Sequence, residues 1–126
     1  MDKRVSIEIP GVSHQAPIPM GAKIGNLVFS SAISGYDPNT KALPADPDQQ
    51  AEMLFRNVRT FMEKAGGTAQ DIIKMTVFLR EERFRESINK EWLKMFPDKE
   101  DRPARHAIKA DLRGEVLFQV EIVAVL

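Results

Sequence analysis

The sequence predicts an α+β fold in which one mixed sheet carries two helices on a single face. Three observations predict it. The apolar period changes from about two residues to about 3.6 and back along the chain, two segments each carry one apolar helical stripe, and the closing segment is apolar at nearly every position. The 126 residues suit a single domain, 1–126, because a chain of this size can bury roughly two thirds of its unfolded surface in one core.

"VSIEI" (5–9) alternates and stops at Pro10-Gly11, which predicts an edge strand, and "SHQAPIPMG", with two prolines, reads as extended loop. "NLVFSSAIS" (26–34) opens after Gly25 and closes at Gly35 and "YDPNT"; its branched and aromatic residues predict a strand. The period then changes. Ala51, Leu54, Phe55, Val58, Phe61, Met62 and Ala65 form one helical stripe. Asp46 can cap that helix, with Pro47 at the first position and Gln49 at capping-box spacing, and Gly66-Gly67 supply a left-handed stop.

Thr68 and Asp71 can cap one turn before "IIKMTVFLR" (72–80), a run apolar enough for a central strand. In "EERFRESINKEWLKMFP", Phe84, Ile88, Trp92 and Met95 or Phe96 share a helix face, with acids in the first turn and Pro97 at the end. "ARHAIKAD" and "EVLFQVEIVAVL" then read as neighbouring strands joined near Arg113-Gly114. The expected order is β, β, α, β, α, β, β, with five or six strands in all. Val116, Leu117, Phe118, Val120, Ile122, Val123 and Val125 want cover on both faces of the last strand. Two helices cover one face only, so the other is expected to meet further copies of the chain, most simply in a closed ring.

Eighteen basic and eighteen acidic residues cancel, which argues against nucleic acid as the main partner but leaves a small polar ligand open. Without cysteine there is no thiol nucleophile or zinc-thiolate site, and two histidines are too few for most metal cages, so neither metal nor cofactor is expected. No apolar run matches a membrane span and "MDKRVSIEIP" lacks a signal-peptide core, so the expected setting is cytoplasmic, with no membrane partner.

Within the last strand Gln119 and Glu121 lie two apart and share a face, where a carboxylate is costly without a partner. Arg105, in "RPARHAIKAD" (102–111), heads the strand expected beside it and is the natural counter-charge; Ala107 leaves space where a larger side chain could stand. A buried pair of this kind can equally serve only to fix register. Ser31 and Asn89 are further polar groups in apolar settings, whereas His106 points away from Arg105 by strand alternation.

"GNLVFSSAISGYDPNT", "AEMLFRNVRTFMEKAGGTAQDIIKMTVFL", "INKEW", "RPAR" and "VEIVAV", in this order and spacing, resemble the reactive intermediate/imine deaminase family (RidA, also called YjgF) across nearly the whole chain. The resemblance implies a chorismate-mutase-like fold and a homotrimer whose sheets form a central barrel, with sites in the clefts between subunits. It implies cofactor-free hydrolysis of enamines and imines, to ketone and ammonia, on a small carboxylate substrate. Arg105 then clamps the carboxylate, Glu121 positions the attacking water, and Ser31 and Asn89 line the cleft.

The chain departs from the family pattern in four places. It has no "GPYSQ"-like segment before "GNLVF", Ala32 stands where glycine is usual, Ala107 replaces a frequent cysteine, and the only tyrosine is Tyr36. The "SHQAPIP" start resembles a subgroup that includes 2-aminomuconate deaminase-like proteins, which would make His14 a cleft residue. A non-catalytic small-molecule-binding or regulatory trimer is the alternative, and it would keep Arg105 without needing Glu121. Ribonuclease activity, reported for some relatives, is least compatible with the neutral charge.

Overall fold

A computed structural model describes residues 2–126. Six strands and two helices follow one another as β1 (Val5–Ile7), β2 (Gly21–Ile24), β3 (Leu27–Ser30), α1 (Pro47–Ala65), β4 (Ile72–Leu79), α2 (Arg85–Met95), β5 (Ala104–Lys109) and β6 (Phe118–Val125). They form one sheet in the order β1-β2-β3-β6-β4-β5, antiparallel throughout except for the β4–β5 pair. Among the described residues no helix is long and apolar enough to cross a membrane.

Both helices form where their apolar stripes predict. The Asp46 side chain accepts a hydrogen bond from the Gln49 amide at 3.0 Å, and Pro47 opens α1. Gly66 ends it at φ +96°, with Gly66 N–H donating to Glu63 and Gly67 N–H to Met62, the paired bonds of a Schellman cap. Thr68 and Asp71 make their capping box around one 3-10 turn. The α1 stripe is buried, and so are Ile88, Trp92 and Met95 of α2 with Phe84 and Phe96 at its two ends. Burial of each such large side chain contributes about 1.5–3 kcal/mol, so the core is held chiefly by this one helix-covered face. Contact there is close: a Cβ at Gly21 would overlap the Phe61 ring.

The strands are shorter than their sequence runs. The segment expected as one strand over 26–34 pairs only through Ser30, and Ile33 rejoins through a bridge to Val120. Side chains interrupt the ladder there, because the Ser30 hydroxyl takes the Ile122 amide and Ser31 N–H turns to Met20. Residues 21–24, of which only Gly21 falls in the expected loop, form β2; Gly25 at φ +58° starts a two-residue turn joining Ile24 to Leu27, in which glycine suits the first central position. The strand expected over 5–9 ends at Ile7, with Ile9 and Val12 closing a small bridged turn. The last strand begins at Phe118, because the Leu117 amide is held by Gln50 Oε1 at 2.7 Å.

One expectation about neighbours fails. β5 and β6 are not adjacent, because β4 lies between them. Arg80, just after β4, fixes the crossing loop by donating to the carbonyls of Leu112, Val116 and Gly114. The loop therefore passes over the end of β4 instead of closing a hairpin.

The last strand alternates in burial. Phe118, Val120, Ile122 and Ala124 are buried under the helices, whereas Glu121 and Val125 are exposed on the opposite face. That open face also presents Leu27 and Phe29, each about half exposed at 48% and 55%.

Candidate active site

Arg105 is the second residue of β5, in register with the buried Met75, so its side chain leaves the sheet on the helix-covered face. Its Nη2 donates to Asn89 Oδ1 at 2.8 Å, and the guanidinium lies 4.9 Å from the centre of the Trp92 ring. Asn89 and Trp92 reach it together because they are three apart on α2 and share a face. Nη1 is shut off from solvent without a partner. Burial, and next the like charge of Arg85, push Arg105 below the usual arginine value, although a guanidinium remains charged. A buried donor without an acceptor costs about 1–3 kcal/mol, which a small rotation of the head onto an anion would relieve. Ala107, partly buried beside Val77, leaves room on the same face.

Glu121 stands elsewhere. It is in register with Thr76 on the open face, exposed, and in no ion pair among the described residues. The expected Arg105–Glu121 pair therefore does not form within one chain, since β4 separates their strands and the two side chains leave opposite faces of the sheet. Ser31 follows the end of β3, past the last β3–β6 pair at Phe29–Val123, so no ladder register pairs it with Glu121. The Ser31 hydroxyl donates to the Pro19 carbonyl at 2.8 Å, which fixes its oxygen and leaves its lone pairs for a ligand. Gln119, on the Glu121 face, donates to Ser34 Oγ at 3.2 Å. His106 is exposed on this face too, away from Arg105 as alternation predicts and in register with Thr76 on its other side.

The structure thus gathers the expected residues into two sets. Arg105, Asn89 and Ala107 meet under α2 at the sheet edge; Glu121 lies on the open face, with Ser31 beyond the end of β3. His14 joins neither through a hydrogen bond, and its half-buried ring keeps an unpartnered, solvent-free Nε2. Trp92 was legible only as a core residue; its spacing of three from Asn89 is the signal that it also supports the arginine. A groove of about 300 Å3, lined by Gln70, Asp71, Phe96 and Arg102 among others, contains none of the expected site residues.

The family model described as Endoribonuclease L-PSP matches residues 15–126. A RutC family protein of Haemophilus influenzae is 35% identical over 112 residues, which cover 86% of each chain. The 2-iminobutanoate/2-iminopropanoate deaminase of Escherichia coli is 31% identical over 111 residues, covering 86% of this chain and 87% of that one. The crystal structure of E. coli TdcF with bound serine shares 30% identity and superposes with a TM-score of 0.88, covering 97% of this chain and 98% of the other.

Proposed function

The chain belongs to the reactive intermediate/imine deaminase (RidA/YjgF) family, and on that premise we propose that it hydrolyses 2-imino acids and their enamine tautomers to 2-oxo acids and ammonia, as a homotrimer with sites shared between subunits. The observation that carries this reading is the division of the site. A charged guanidinium with a spare donor sits on one face of the sheet, and an unpaired carboxylate stands on the other amid exposed apolar residues. A second copy docked on the open face would bury Leu27 and Phe29 and bring its own Arg105 set to Glu121.

The chemistry suits these groups. An imine carbon is already electrophilic, so the site has to hold the substrate and orient water. Arg105 takes the substrate carboxylate through parallel hydrogen bonds, with Asn89 and Trp92 fixing the plane of its head. Glu121 accepts a proton as water oxygen bonds to the carbon of the protonated imine and the C=N electron pair passes to nitrogen, leaving a neutral amine. Glu121 then returns its proton to the amine. The C–N bond breaks as the hydroxyl oxygen forms C=O and passes its proton back to Glu121, and ammonia leaves. The departures around His14, Ala32 and Ala107 favour a substrate larger than the simplest imino acids, of the 2-aminomuconate kind.

Mixing tests the shared site. Arg105→Ala and Glu121→Gln subunits, each inactive alone, should regain about a quarter of the parental sites after random exchange, because one site in four then draws an intact Arg105 and an intact Glu121 from different subunits. Ammonia release would be followed from an imine generated in place by a partner enzyme. Subunit exchange confirmed by mass spectrometry with no recovered activity would overturn the shared site.

A further inference from the structure

We propose that the Arg105 site takes an imine or enamine bearing a second carboxylate, and that Arg85 receives that second charge. The inference rests on the deaminase reading and deepens it. Arg85, Asn89 and Trp92 recur on α2 at i, i+4 and i+7, so Arg85 lies one turn before the asparagine that holds Arg105, on the same helix face. α2 links the parallel strands β4 and β5 and so runs back along them, which sets Arg85 toward Ala107 and Lys109, beyond Arg105 on the same strand face.

The small side chain of Ala107 thus lies between Arg105 on one side and Arg85 with Lys109 on the other. The charge of Arg85 already acts against that of Arg105, and two guanidiniums this near repel unless an anion sits between them. The acids at hand do not fill the role. Glu82 holds Arg85 at 2.6 Å, but both side chains are substantially exposed, at 40% and 60%, so the pair is worth at most about 1 kcal/mol and yields to a ligand. Glu86 is engaged with the Asn89 amide at 3.3 Å. The four-residue rise from Arg85 to Asn89 is about 6 Å, a span matched by an extended dicarboxylate of about five or six carbons.

Binding of stable 2-oxo acids reads this directly. The parent protein should bind 2-oxoadipate at least about tenfold more tightly than 2-oxobutanoate, a difference of about 1.4 kcal/mol, and Arg85→Gln should bring the ratio within about twofold. A merely structural role for Arg85 would weaken both ligands together and leave the ratio standing, which would overturn the proposal. So would a parent protein without preference. The underlying reading fails by a different result: 2-oxobutanoate binding that survives Arg105→Lys would remove Arg105 as the carboxylate clamp, whatever the chain-length preference.

Discussion

The edge cluster around Arg105 and the open-face patch around Glu121 are built in opposite ways. Arg105 is bonded by Asn89, supported by Trp92 and partly desolvated. Glu121 has none of this: it projects from a central strand, exposed, with Thr76 as its neighbour. On the proposed reading, a single chain preorganises the binding half of a site and leaves the proton-transfer half bare. Preorganised donors cost little to use at the moment of binding, whereas a general base gains strength from losing water. Burial of the second half by another subunit would supply that loss of water where substrate is already held.

The largest break in this comparison should come from Arg105→Ala, with kcat/KM falling on the order of a thousandfold while the melting temperature stays close to the parent's. Arg105→Lys should recover little, because a point charge cannot make two parallel hydrogen bonds or stack flat on Trp92. Unfolding of the alanine variant with rescue by lysine would make the cluster structural instead.

Glu121→Gln keeps the shape and removes only the ionisable group. Turnover should fall about a hundredfold while calorimetry finds 2-oxobutanoate binding nearly unchanged. A variant as fast as the parent would leave Arg105 as a ligand clamp without a catalytic base, the behaviour of a binding module.

The smallest effect sharpens the comparison from outside both regions. Hydrogen bonds from Lys90 and then Ser87 hold the Asp48 carboxyl below its ordinary value of 3.8, tying the start of α1 to α2. A carboxyl depressed in the folded state contributes stability above its unfolded pKa and loses it as pH falls through the folded one. Asp48→Asn should therefore melt slightly below the parent at neutral pH, and the two curves should converge in acid. A gap that persists in acid would show that packing, not charge, links the helices there.

The site residues were legible to different depths. Asn89 and Arg105 both read as chemistry-bearing in the sequence, yet nothing local states that they bond, because their contact depends on how α2 lies across β5. The Arg105–Glu121 pair failed for a topological reason: strands consecutive in sequence are usually neighbours, but here β4 is inserted between β5 and β6. The sequence reads Ser31 as lying inside a strand, whereas the ladder breaks just before it as the Ser30 hydroxyl takes the Ile122 amide.

By itself the sequence determined both helices and their caps, the apolar face they cover, and, through motifs ordered along the whole chain, the family. These are properties of short segments, where period, capping residues and turn glycines act within a few positions. Only the tertiary structure decided the strand order, and with it the placement of Arg105 and Glu121 on opposite faces of the sheet. Alternation fixes a side chain's face relative to its own strand, but which residues share a site depends on which strands meet. That is set by long-range pairing and by loops such as the one Arg80 pins across the end of β4.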